Sequence, residues 1–294
     1  MFNMHLRNCT KKGWIVKLND DLSLLAYQDS KPNNVGETRE LQKGLILTSS
    51  GKELNEEGVG FGVPVALFSD KTYFSKSAQL LVNDTGKETI LLKRFKMNCI
   101  YAKGWRQKVL TDHSLHSFFY FFQKKIEIAY HNHRNFQKIM WHITKFQNYL
   151  GIKTCFLEVK PRGEITLSYK ISSHRIGVKV DLRRLQKRNC EKVFILNEQG
   201  ASFFRKYFDS LGLELFDDNI GVWDSVQADW ACISDLKGKL SFRLKQFPEL
   251  KMYRGREHLE GLLSWAGLAY ELKPSKRVFY YEIDLKNGGK EKND

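Results

Sequence analysis

Apolar and polar residues alternate with period two along most of this chain, and the alternating stretches are short. Trp14, Val16 and Leu18 take one face of a first run, with Ile15 and Lys17 on the other. Leu22, Leu24 and Ala26 repeat the pattern, as do Val63, Val65 and Leu67. Further apolar runs fall at 44–48, 73–74, 79–83 and 89–95. Turn-forming pieces separate them: Asn19-Asp20-Asp21, Lys31-Pro32-Asn33-Asn34, Ser49-Ser50-Gly51-Lys52 and Asn83-Asp84-Thr85-Gly86. Strands this closely spaced pair antiparallel through hairpins, because a parallel crossover takes a dozen residues or more.

After residue 110 the period becomes helical. Leu115, Phe118, Phe119, Phe122 and Ile126 predict one helix, with Thr111 or Asp112 as its N-cap. Phe136, Ile139, Met140, Ile143, Phe146 and Leu150 predict a second, stopped by Gly151. Strands resume at 154–160. A long hairpin follows, with Ile165, Leu167, Tyr169 and Ile171 opposite Ile176, Val178, Val180 and Leu182, and with Lys170, Arg175 and Lys179 on its wet face. A strand at 192–196 leads into a predicted helix carrying Phe203, Phe204, Tyr207, Phe208 and Leu211, with Gly212 as its stop. Segments 241–247 and 277–285 read as late strands. Residues 257–270 are ambiguous: Leu259, Leu262, Leu263, Ala266 and Ala269 suit a helix, whereas Gly261 and Gly267 weaken it.

The fold class expected is mainly β, a large antiparallel sandwich with a two-helix insert near 112–150 and one or two further short helices. Residues 1–294 read as a single β-rich domain. The subdivision to set beside it is a β half at 1–110, the insert at 111–151 and a second β-rich half at 152–285, with 286–294 as a frayed tail.

Composition narrows the class. Of 294 residues, 42% are hydrophobic and 28% charged, which is globular and not disordered. The aromatic run 118–122 is far short of the roughly 20 apolar residues a spanning helix needs, so no membrane is expected. Residues 1–7 have neither an apolar signal core nor a small-residue cleavage site, which leads to the expectation of a cytoplasmic protein. The five cysteines, Cys9, Cys99, Cys155, Cys190 and Cys232, are odd in number and widely spaced, which argues for free thiols and against disulfides or zinc fingers. No metal and no cofactor is expected. His113, His116, His131, His133 and His142 cluster, but the region is poor in the acids that would complete a metal site.

The formal net charge is +15. Its excess lies between Lys93 and Lys192, while the flanks are close to neutral. This predicts an anionic partner, either nucleic acid or an acidic glycan. Nucleic acid would use phosphate contacts from Lys93, Arg94, Lys96, Lys103, Arg106, Lys108, Arg183, Arg184, Lys187 and Arg188. A merely solvated basic surface is the competing reading. The sequence leaves open whether the protein is an enzyme and what its oligomeric state is.

Gly58-Val59-Gly60-Phe61-Gly62 has the glycines of a phosphate loop but runs into a strand, where a phosphate cradle needs a helix N-terminus, so a bulge or turn at positive φ is expected. The preceding Glu56-Glu57 could line a cleft. Glu158-Val159-Lys160 matches half of a metal-dependent nuclease pattern, whose upstream aspartate is missing. Richer in chemistry is the acidic and aromatic stretch from Glu198 to Trp265. Glu198, Asp224 and Glu257 are candidate acids and bases. Trp223 and Trp265 are candidate stacking surfaces for a sugar ring, and Arg254 and Arg256 are candidate ligand contacts.

The antiparallel strands, the size and the aromatic-rich turns are similar to the β-supersandwich of galactose mutarotase-type proteins and polysaccharide-lyase C-terminal domains. Gly60-Phe61-Gly62-Val63-Pro64-Val65 resembles the Gly-hydrophobic-Pro strand found early in mutarotases. The resemblance implies a supersandwich-like architecture. It assigns no catalytic residue, since the His and Glu pair used by mutarotases has no matching positions in this chain. The leading functional expectation is a carbohydrate-related binding or modifying protein, with an anionic ligand as a variant. The alternatives are a nucleic-acid-binding protein using 93–192 and a structural or interaction protein without catalysis.

Overall fold

The computed structural model describes residues 6–10, 13–28, 41–56, 58–84, 89–105, 108–109, 152–259 and 263–287. The helices expected near 112–150 and the histidine cluster lie outside the described residues. Residues 1–99 and 158–294 form one compact unit and residues 100–157 another. In the smaller unit, β10 (Cys99–Trp105) pairs with β11 (Lys108–Val109) and with β12 (Ile152–Glu158).

The larger unit is mainly β. Its first part contributes β1 (Leu6–Thr10), β2 (Gly13–Lys17), β3 (Leu22–Tyr27), β4 (Leu45–Ser49), β5 (Lys52–Glu53), β6 (Phe61–Phe68), β7 (Thr72–Phe74), β8 (Ser77–Asp84) and β9 (Thr89–Lys96). Its second part contributes β13 (Glu164–Ile171), β14 (Arg175–Asp181), β15 (Cys190–Gln199), β16 (Lys206–Asp209), β17 (Glu214–Phe216), β18 (Asp224–Val226), β19 (Trp230–Ser234), β20 (Leu240–Lys245), β21 (Lys251–Leu259), β22 (Leu263–Leu272) and β23 (Val278–Asn287).

These strands make two antiparallel sheets. The first has the order β1-β2-β3-β4-β6-β15-β22-β21-β18, with β5 on β4 and β7 on β6. The second has the order β17-β16-β19-β20-β23-β14-β13-β9-β8. Both parts of the chain supply both sheets: β15 lies against β6, and β13 lies against β9.

The alternation explains why the sheets pack as a sandwich. Ile165, Leu167, Tyr169 and Ile171 of β13, and Ile176, Val178 and Val180 of β14, are buried and point to one face. Across the interface, the Phe61 ring meets Phe242 edge-on at 5.1 Å and Tyr270 meets Tyr281 at 5.1 Å. Buried hydroxyls find partners on the facing sheet. Tyr169 donates to the Gly62 carbonyl at 2.9 Å, and Tyr281 donates to Asn197 Oδ1 at 3.0 Å. That same oxygen accepts the Gly62 N–H at 3.1 Å.

The glycine-rich segment is a bulge, as its missing helix implied. The β6–β15 register slips between Leu196 and Asn197, and Gly60 and Gly62 have φ of 87° and 76°. A Cβ on Gly62 would sit 2.7 Å from the Tyr169 hydroxyl. Gly62→Ala combines a disfavoured backbone with this clash, so urea denaturation should show a loss of about 2–3 kcal/mol.

One helical expectation is corrected and one ambiguity is resolved. Residues after Gly200 do not form a helix: they turn at 201–203 and enter β16, where Tyr207 and Asp209 are buried and their neighbours half-buried. The turn to β17 is organised by Asp209. Its Oδ1 accepts the Leu211 and Leu213 N–H groups at 3.0 and 3.2 Å, and its Oδ2 accepts the Tyr207 hydroxyl at 2.8 Å. These local bonds, with a Gly212 φ of 80°, outcompete a helix. Segment 257–270, ambiguous in the sequence, is strand wherever it is described. Its described residues belong to β21 and β22, paired from Lys251↔Glu271 to Leu259↔Leu263. Among the described residues the helical element is one 3-10 turn, Asp217–Ile220.

Lys93, expected at a phosphate-binding surface, is fully buried. Its ammonium donates to the carbonyls of Tyr27 at 2.7 Å and Lys43 at 2.5 Å.

Candidate functional site

Three neighbouring strands of the first sheet build the site. The register places Glu198 of β15 opposite Gly267 of β22, and Gly267 opposite Gly255 of β21. With Asp224 paired to Arg254, the row continues to Trp223, one residue before β18. Side chains two positions away share the face of this row, so Trp265 and Glu257 stand beside it.

The two glycines make the floor. A Cβ on Gly267 would lie 2.4 Å from the Asn197 carbonyl and 2.9 Å from Glu198 Cγ, so the Glu198 side chain lies across that position. A Cβ on Gly255 would meet the Trp265 ring and the Trp223 nitrogen, each at 2.8 Å. The Trp265 ring therefore lies over Gly255. Trp223 stacks on it, with centroids 4.6 Å apart and planes 14° from parallel. Trp265 is buried and Trp223 is half-buried. The Trp265 Nε1–H donates to Glu257 Oε2 at 3.0 Å.

Glu198 is 5% exposed. Its Oε2 accepts the Val59 N–H at 3.1 Å. Burial pushes its carboxyl up to about 7. The Val59 bond and the Lys43 charge pull it down, and the Glu257 charge pushes it further up. A carboxyl poised near neutral can both give and take a proton.

The opposite face of the same hairpin carries an ionic network. Arg256, 5% exposed, donates to Asp218 at 2.9 Å and to the Ala201 carbonyl at 3.2 Å, and lies 3.4 Å from Asp217. Arg205 holds Asp217 with two bonds, at 2.8 and 2.9 Å, and these keep that carboxylate below its ordinary range. The Ser264 hydroxyl donates to Glu56 Oε2 and contacts His258 Nδ1 at 3.0 Å. Glu56 also accepts the Ser202 N–H at 3.2 Å. Of five non-glycine residues with left-handed backbone among the described residues, Glu56 and Asp217 belong to this network and Trp223 to the indole stack on the other face. Such conformations persist where surrounding structure over-determines them, often at functional sites.

The structure thus brings together Glu198, Glu257, Trp223 and Trp265, with Arg256 on the reverse of the same strands. Asp224 and Arg254 lie elsewhere. Arg254 is on the face of β21 opposite Glu257, with its guanidinium 5.0 Å from the Tyr207 ring, donating to the Ile220 carbonyl at 3.0 Å and 3.7 Å from Asp224. The sequence offers Glu56 as a residue that could line a cleft, but it does not single out Ser264 or Arg205. Only strand pairing joins these residues, which stand up to 208 positions apart.

Arg106 and the side chains of Lys103 and Lys108 lie outside the described residues, and among the described residues the basic groups of 93–192 form no counterpart. Arg183 and Arg184 are exposed but bonded to acids, Arg183 to Asp181 at 3.0 Å and Arg184 to Glu164 at 3.4 Å. Lys187 and Arg188 are exposed in the loop before β15. Lys187, Cys190, Lys192, Glu271 and Lys273 line an open groove of about 610 Å³, where Lys192 and Glu271 pair at 3.1 Å. Burial pushes the thiols of Cys190 and Cys232 up to about 11 and about 12, away from reactive thiolates. Among the described residues no group of three or more His, Cys, Asp or Glu is placed to hold a metal ion. Glu158 accepts the Asn98 side-chain amide at 2.7 Å, a structural tie at the end of β12.

The fold and site together define an antiparallel β-sandwich protein with an acidic, tryptophan-backed face. No family model matches the chain, and no curated protein does. Three solved structures are similar in outline. An α-N-acetylgalactosaminidase from Bifidobacterium bifidum, in complex with GalNAc, is 6% identical with a TM-score of 0.43; the alignment covers 98% of this chain and 36% of that one. The protein HI1317 is 7% identical with a TM-score of 0.34, covering 97% and 100% of the two chains. The Slr1438 protein from Synechocystis sp. PCC 6803 is 10% identical with a TM-score of 0.38, covering 98% of each. At these scores none of them bears on the site.

Proposed function

We propose that the protein binds a carbohydrate at the Glu198–Glu257–Trp223 face and that its two carboxyl groups perform acid-base chemistry there. The observation that carries this reading is the convergence of a buried carboxyl poised near neutral with a second one, beside a stacked pair of indoles. Trp223 offers its ring to the apolar face of a sugar, and Trp265 backs it. Glu198, whose carboxyl burial pushes up to about 7, is the proton donor. Glu257, oriented by the Trp265 indole, is the acceptor. The nucleic-acid alternative rests on fewer groups, since Lys93 is buried and Arg183 and Arg184 are already bonded to acids.

A panel of neutral and acidic sugars in thermal-shift assays should contain at least one that raises Tm. Trp223→Ala should weaken that stabiliser about tenfold or more, while Glu198→Gln should retain binding but lose turnover. Silence across the panel, with DNA or RNA binding below 50 mM salt in its place, would move the assignment to the basic surface.

A further inference from the structure

We propose that Lys43 is the positioning residue for Glu198, acting through the Gly58–Val59 peptide unit. It deepens the reading of Glu198 as the acid-base group, but its physical content does not depend on the ligand.

The geometry runs through one amide. The Gly58 carbonyl accepts two side-chain donors, the Lys43 ammonium at 2.8 Å and the Asn55 amide at 2.7 Å. The other end of that same peptide is the Val59 N–H, which donates to Glu198 Oε2 at 3.1 Å. A cation on a carbonyl oxygen draws electron density toward it and makes the N–H of the same amide a stronger donor. The positive charge of Lys43 is thereby delivered, through a planar unit, to the carboxyl it would otherwise reach only through space.

The amide is also fixed in place. The next carbonyl, Val59, accepts the Gly44 N–H at 2.7 Å. The Gly60 carbonyl accepts the Glu198 N–H at 3.1 Å, and Gly58 N–H donates to the Asn55 carbonyl at 2.9 Å. Residues 43–44 therefore grip the peptides on both sides of the Val59 Cα, while β15 anchors the end of the loop. Lys43 and Asn55 are each 2% exposed, so little water competes for the Gly58 oxygen. The charged groups that act on Glu198 among the described residues are Lys43, just before β4, and Glu257, on β21. They oppose each other, and Lys43 has the peptide to work through.

Ligand-free protein carrying ¹³C-labelled glutamate and ¹⁵N-labelled backbone tests this by NMR titration, with Glu198→Gln assigning the carboxyl resonance. The Val59 amide proton should move downfield as Glu198 ionises. Lys43→Gln keeps a neutral donor for the Gly58 oxygen but removes the charge. It should raise the Glu198 midpoint by about one pH unit or more and shrink the Val59 excursion. Asn55→Ala, which leaves the charge, should shift the midpoint in the same direction by less. An unchanged midpoint and an unchanged Val59 excursion in folded Lys43→Gln overturn the proposal. If Lys43→Gln does not fold, Asn55→Ala decides: a shift upward supports the peptide route, and no shift overturns it. Because the readout needs no sugar, the carbohydrate reading can fail while this one stands, or the reverse.

Discussion

Glu198→Gln is expected to gain about 2–3 kcal/mol of stability on the wild type between pH 5 and pH 8, measured by urea denaturation at both values. The folded carboxyl titrates near 7, while an unfolded glutamate titrates near 4.5. Between those values the folded protein keeps a proton that the unfolded chain has released. Stability contributed by the neutral carboxyl is therefore present below pH 4.5, falls as pH rises toward 7, and is flat above. Glutamine has no proton to lose, so the difference between the two proteins isolates this group from the others. Asp217 works the opposite way: held low by Arg205, it contributes stability that is lost as pH falls. A wild-type minus variant difference that does not change from pH 5 to pH 8 would show that Glu198 is not buried as described.

Gly267→Ala is expected to cost about 2–3 kcal/mol and to disturb the site as well. The new methyl would press on the backbone of β15, which is not free to give way: Asn197 is bonded to both Gly62 and Tyr281. The yielding element is β22, and with it Trp265. Tryptophan fluorescence should therefore shift to the red in the folded variant, as Trp265 moves toward water. Unchanged fluorescence with unchanged stability would mean that the two strands have slack that the distances do not show.

How far the sequence could be read depended on whether an element's chemistry was local. The β13–β14 hairpin was legible because Ile165 to Ile171 and Ile176 to Leu182 alternate without interruption, and alternation over that length has one structural meaning. The stretch from Phe203 to Leu211 misled because a turn, a four-residue strand and a second turn happen to space aromatic residues like a helix. The carboxylate of Asp209, bonded to two turn N–H groups, was the signal available to correct it.

The candidate site shows the same division. Acids and indoles between Glu198 and Trp265 marked a chemistry-bearing stretch, but Glu198, Asp224 and Glu257 were equivalent as letters. Strand parity separated them: Gly255 stands across from Gly267 and Gly267 from Glu198, while Asp224 pairs with Arg254, one residue off the row, and so falls on the reverse face.

What the sequence determined by itself was the period-two pattern and hence an antiparallel sandwich, because the alternation of side chains across a strand is a property of the strand alone. The tertiary structure decided which strands are neighbours. A buried carboxyl, its peptide donor and its opposing charges come from residues 43, 59, 198 and 257, and their energies depend on distance and exclusion of water. Neither quantity exists until β15, β21 and β22 have paired and the glycine-rich loop has closed over their end.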